Sequence, residues 1–203
     1  MDEKKYHHGD LKNALIQAGI AVLARDGVNA LSLREVARQA GVSHAAPYAH
    51  FTDKQALIAA IITEGYKLLS AKLEKEIAAW QEDVHRQLVE VAWAYMQFAI
   101  QESDIFKIMF SGALEHEKDY PEFVTHSQYT FQLVVKVVAN CQRAGILRDQ
   151  PPELMAVTVW GQVHGVISLI MMGQISHTIL DRYDLRSILI SSLNQLTLMP
   201  YQD

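Results

Sequence analysis

Residues 32–54 read SLREVARQAGVSHAAPYAHFTDK, and the order of residue types in them writes two short helices joined by a glycine turn. Ser32 stands where an N-cap belongs and Glu35 follows three positions on, the spacing of a capping box. Val36, Ala37 and Ala40 then share one helical face, and Gly41 sits where a left-handed residue ends a helix at low steric cost. Ser43 offers its hydroxyl as a second N-cap, which predicts a helix from His44 to about Phe51. Thr52 or Asp53 can cap a third helix starting at Lys54. Helix, glycine turn, helix is the arrangement that places a helix in a DNA groove. The second helix carries His44, Tyr48 and His50 among the small residues Ala45, Ala46 and Ala49, with Lys54 one turn beyond. Such donors bond phosphate oxygens, and the first residues of such a helix reach base edges. Pro47 removes a backbone donor just past the point where that loss is free, so a tight or distorted first turn is expected. The alternative at this stage is a three-helix bundle with glycine-bounded helices and no DNA role.

The segment from about Asp10 to Leu69, with LSLREVARQAGVS, PYAHF and DKQAL in order, resembles the N-terminal domain of the TetR family of transcriptional regulators. The resemblance implies an all-α, homodimeric, mostly repressing, ligand-responsive factor. It places Ser32 and Arg34 near phosphates, Ser43, His44, Ala45 and Ala46 near bases, and Tyr48, His50 and Lys54 on the DNA backbone. Ala49 departs from relatives that carry Arg there, which implies one phosphate contact fewer and a weaker salt dependence.

At 203 residues and 50% hydrophobic, with ten Gly and five Pro, the chain suits a helical globular protein of one or two cores. The net charge of −5 divides unevenly: residues 1–54 hold 7 Lys/Arg against 6 Asp/Glu, and residues 55–203 hold 11 against 17. The motif, not the charge, therefore carries the DNA reading. One cysteine, Cys141, excludes an internal disulfide and a multi-cysteine zinc site, and it reads as a small buried hydrophobe. MDEKKYHHGD lacks an apolar signal core, so a cytoplasmic location is expected. Leu154–Met172 runs 19 residues without formal charge, but Thr158, Gln162, His164 and Ser168 interrupt it. It reads as a helix buried on nearly all sides rather than a membrane span.

Periodicity and punctuation predict about nine helices. A helix-turn-helix domain occupies 1–54, and a helical ligand-binding and dimerisation domain occupies 55–203. A helix over about 54–80 links them, with Gly65 in its middle requiring a bend or a close neighbour. Further helices are expected over 83–101, 103–111, 123–144, from Pro151-Pro152 onward, and 184–199.

Trp160 and His164 stack on one helical face, and Gly161 and Gly165 permit close approach of another helix. This Trp, His, Gly arrangement, with the opening YHHGDL, resembles one TetR subgroup. Trp160 and His164 with Trp93, Met96, Phe98, Met109, Phe110, His126 and Phe131 form a candidate pocket for a small, largely apolar effector. The same aromatics also fit an ordinary core. Two reading heads must stand about 34–36 Å apart, or a multiple of that, on a palindrome. A dimer interface through Ile188, Leu189, Ser192, Leu196 and Met199 with the preceding apolar helix would fix that spacing. No nucleophile, P-loop, dinucleotide fingerprint or metal-ligand spacing is present, so no enzyme, cofactor or metal is expected. The remaining alternative is a helical binding module whose DNA head is vestigial.

Overall fold

Gly41 takes the left-handed conformation (φ 68°) that the sequence demands of it, and Ser32 Oγ accepts from Glu35 N at 3.2 Å. Between them lies an eight-residue helix, one of nine in a computed structural model that describes residues 8–202, with side chains from residue 11 onward. Tyr6 and His7 of the opening motif, and the side chains of His8–Asp10, lie outside the described residues. The helices are α1 (His8–Asp26), α2 (Leu33–Ala40), α3 (Lys54–Ala79), α4 (Val84–Gln101), α5 (Ser103–Met109), α6 (Pro121–Arg143), α7 (Pro152–Met171), α8 (His177–Leu180) and α9 (Leu185–Asn194). Among the described residues the sole β-type pairing is an isolated bridge between Leu147 and Thr197. The fold class is all-α, as expected.

The chain forms two compact units. One takes residues up to Lys67 together with Glu102–Ser127, and the other takes Leu68–Gln101 with the chain from Gln128 onward. In the first, Leu15 and Val22 of α1 and Leu57, Ile58 and Ile61 of α3 are fully buried. Arg25 donates to Asp26 (2.7 Å), Gln39 (3.2 Å) and Glu35 (3.3 Å), tying the end of α1 to α2. α3 is unbroken through Gly65, and the reason for that glycine is a close neighbour. A Cβ there would stand 2.4 Å from Met109 Sδ and 3.1 Å from Ile105 Cγ1 of α5.

In the second unit, buried Gln87 of α4 donates to the carbonyls of Ile77 (2.8 Å) and Trp80 (3.2 Å), satisfying acceptors that the end of α3 leaves without helical partners. Arg186 of α9 forks onto Glu90 of α4 at 2.9 and 3.1 Å. Cys141 is fully buried, its Sγ donates to the Val84 carbonyl, and burial pushes the thiol up to about 12. It is a packing residue with no thiolate at neutral pH.

Three expectations are corrected. The helix expected over His44–Phe51 is instead a turn followed by a four-residue 3-10 segment, Ala46–Ala49. The helix expected over 184–199 stops at Asn194, because the tail turns back. Asn194 exchanges two hydrogen bonds with the backbone of Tyr201 (2.8 and 3.1 Å), and Leu198 N donates to Ile146 O (2.8 Å). The stretch after α7 gains the short α8. Finally, α7 is not enclosed. It is long and apolar enough to cross a membrane by composition, and Met155, Ala156, Val159, Val163 and Ile167 are buried against its neighbours, yet only 28% of its apolar window is buried. Leu154 (61% exposed), Val157, Leu169 and Met172 (71%) face outward beside Gly161 and Gly165.

Gly65→Val should lower unfolding free energy by about 1–3 kcal/mol, since the branched side chain must displace α5. Urea unfolding checks this; an unchanged midpoint would show that Met109 moves aside freely.

Candidate functional site

The segment between α2 and α3 is shaped by what it cannot do. Pro47 has no N–H, so the turn closes with i to i+3 bonds: Ala46 N to Ser43 O (3.0 Å), Tyr48 N to Ala45 O (3.2 Å) and His50 N to Pro47 O (2.9 Å). Ser43 contributes its carbonyl, and no side-chain cap opens the segment, which corrects the expected hydroxyl cap. Pro47 and Phe51 are buried, and the residues between and before them turn outward. Asp53 accepts from Ala56 N at 2.8 Å and caps α3.

Of the expected DNA-contacting residues, Ser32, Arg34, Ser43, His44, Ala45 and Tyr48 are exposed, Tyr48 by 56%. Ala46 and His50 are half-buried. Lys54 donates through Nζ to the Val28 carbonyl and so braces the turn after α1. Glu35 bonds Arg38 at 2.9 and 2.5 Å, and the Arg38 guanidinium holds its carboxyl below the usual range, with help from Arg25.

The expected effector residues are divided. Met109, Phe110 and His126 belong to the first unit, where Phe110 packs on Phe106 at 4.9 Å. Met96 and Phe98 are fully buried core, and Trp93 lies 5.8 Å beneath Arg186. Trp160, His164 and Phe131 come together around a residue that sequence reasoning missed, Tyr95 of α4. Its hydroxyl accepts from Trp160 Nε1 at 3.2 Å and meets His164 Nδ1 at 2.7 Å. Phe131 stands edge-on to Trp160, with centroids 6.3 Å apart. Tyr95 gave no local signal because its partners lie 65 and 69 residues away. In the expected dimer set, Leu189 is fully buried in the chain's own core and Ser192 Oγ accepts from Gln162 of α7 at 2.9 Å. Ile188 is half-buried, and Leu196 and Met199 lie beyond the end of α9.

Residues 15–61 match the family model of bacterial regulatory proteins of the tetR family, and residues 88–193 match that of the tetracyclin repressor-like C-terminal domain. The second match spans more than half of the chain. The chain belongs to the TetR family of transcriptional regulators.

The chain is also similar to individual proteins. A solved structure of a protein of unknown function from Rhodococcus sp. RHA1 is 30% identical, covers 95% of this chain and 96% of its own, and superposes with a TM-score of 0.76. The uncharacterized HTH-type transcriptional regulator YvkB of Bacillus subtilis is 23% identical over 140 residues, 66% of this chain and 69% of that one. The nicotine-responsive transcriptional repressor HdnoR of Paenarthrobacter nicotinovorans is 34% identical over 90 residues, 43% of this chain and 46% of that protein. The families matched are regulators rather than enzymes.

Burial holds His164 below the ordinary imidazole value of 6.5, and His85 likewise. Each binds a proton less readily when folded than when unfolded, so stability is full above about 6.5 and declines as pH falls below it. Thermal unfolding should shift downward between pH 7.5 and 5.5. His164→Asn, which keeps an acceptor but cannot titrate, should flatten part of that slope. An identical slope in the variant would remove His164 from the account.

Proposed function

We propose that this regulator is a cytoplasmic repressor that binds a palindromic operator as a homodimer and releases it when a small, largely apolar effector occupies the second unit. The observation that carries the reading is the turn between α2 and α3, whose inner residues Pro47 and Phe51 are buried while His44, Ala45 and Tyr48 project into solvent. Ser43, His44, Ala45 and Ala46 read base edges. Ser32, Arg34 and Tyr48 hold phosphates, with His50 and Lys54 supporting the turn and reaching the backbone on docking.

A palindrome needs two such heads at fixed spacing. The uncharged outer stripe of α7, with Leu154, Val157, Gly161, Gly165 and Met172, supplies an apolar face for a second copy, and Ile188 and Leu196 would extend it from the α9 side. Leu189 and Ser192 would support that face from within. The name of the nicotine-responsive relative supports release by a small molecule, and the Trp160, His164, Gly165 arrangement supports placing the chain in the corresponding subgroup. α3 and α6 each begin in one unit and end in the other, so a ligand preference would reach the reading turn along continuous helix.

Gel shifts on operator DNA selected from a random pool test this. Tyr48→Ala should weaken binding about 10-fold, or ~1.4 kcal/mol; undiminished binding would reject the assigned turn. Sedimentation should show dimers for the parent and monomers for Leu154→Glu/Met172→Glu, with operator affinity lost in parallel. Compound binding without any sequence-preferring DNA affinity would leave only the binding-module reading.

A further inference from the structure

One hydrogen bond at Tyr95 has a direction that chemistry fixes: an indole N–H can only donate, so Tyr95 Oη accepts from Trp160 at 3.2 Å. The same hydroxyl meets His164 Nδ1 at 2.7 Å, as donor to one imidazole tautomer or acceptor from the other. Burial makes the imidazole bind a proton less readily and so favours its neutral form. The chain of groups runs inward from the surface: Trp160 is 37% exposed, Phe131 is half-buried and Tyr95 is 7% exposed. Three helices, α4, α6 and α7, converge there, and the Glu90 and Arg186 charges of the same unit are matched to each other.

We propose that Trp160, Tyr95, His164 and Phe131 form the anchoring end of the effector site and select an uncharged ring compound bearing a carbonyl-type acceptor over carboxylates and amines. This rests on the reading that the second unit holds an effector. A ligand carbonyl can take the indole N–H in place of Tyr95 Oη, or accept the Tyr95 hydroxyl proton, while its ring packs against Phe131. A charged ligand group would lose its hydration there, and a carboxylate would have to draw a proton onto His164, a charge that burial opposes. An ammonium group can only donate, as the indole N–H of Trp160 does, so the two cannot pair.

Three probes of one size separate the classes: acetophenone, benzoate and benzylamine, titrated into the full-length protein and followed by ligand-observed NMR and thermal shift. Acetophenone should bind at least 10-fold more tightly than either charged probe. Tyr95→Phe, which keeps the ring and removes the hydroxyl, should erase most of that preference, and half-exposed Trp160→Phe should do the same should the first variant fold poorly. Equal or tighter binding of benzoate or benzylamine overturns the inference, as does no binding of any probe at millimolar concentration or an unchanged preference in both variants. Operator gel shifts with acetophenone separate this from the effector reading. Selective binding that leaves DNA affinity unchanged supports the anchor and sinks the effector role, whereas intact DNA binding with no probe preference sinks the anchor alone.

Discussion

Burial of Pro47 and Phe51 is the constraint on which the turn between α2 and α3 depends. A four-residue 3-10 segment has too few internal bonds to hold itself together in water, and the eight-residue α2 beside it is little better placed. Both persist because their inner faces are packed: Leu33, Val36 and Ala37 of α2 are buried, and Pro47 and Phe51 anchor the turn from below. Exposure of His44 and Tyr48 follows from that anchoring. With Pro47 and Phe51 committed inward at the two ends of so short a stretch, Tyr48 and Ala49 between them point to solvent. The same proline that prevents a regular helix therefore sets which side chains are offered to a ligand.

Electrostatics contribute less to this head than a DNA-binding function suggests. Arg25, Asp26, Glu35 and Arg38 form a closed, neutral network across α1 and α2, in which mutual pairing keeps both carboxylates ionised. These pairs are solvated and add little stability, but they occupy two guanidiniums that would otherwise extend the positive field. With Ala49 in place of a cation and an overall charge of −5, the proposed operator recognition would rest on specific contacts at the turn more than on counterion release.

What was legible in the sequence was local. The Ser32 cap, the left-handed Gly41 and the Asp53 cap are each decided within four residues, and each is found where its chemistry required. Gly65 announced a bend or a close neighbour, but only Met109, from a helix about forty positions on, chooses between them. Tyr95 could not be found, because an aromatic in an apolar helix looks like core until Trp160 and His164 are seen beside its hydroxyl. The end of α9 was misjudged for the same reason. Its apolar pattern continues past Asn194, while the bonds that turn the tail back reach residues Ile146 and Leu147. The hydrophobicity of α7 was read as burial, although hydrophobicity reports an affinity for apolar surroundings without saying which chain provides them.

The open face of α7 and the relay on its flank place opposing demands on one helix. Gly161 and Gly165 have nothing within 4 Å of where a Cβ would be, so the outer stripe can admit a close partner helix, while Trp160 and His164 on the flank engage Tyr95 of α4. An effector that bound equally well to two arrangements of this helix would shift nothing, however tight its binding. Under the proposed mechanism, release of DNA therefore requires that ligand contacts with the relay differ between the DNA-competent and DNA-incompetent spacings. A hydrogen-bonded relay suits that requirement better than a greasy pocket. Hydrogen bonds weaken steeply with small changes in distance and angle, whereas apolar burial varies smoothly with area, so a small displacement of α7 alters the relay's interaction with a ligand carbonyl far more than its contact with a ring.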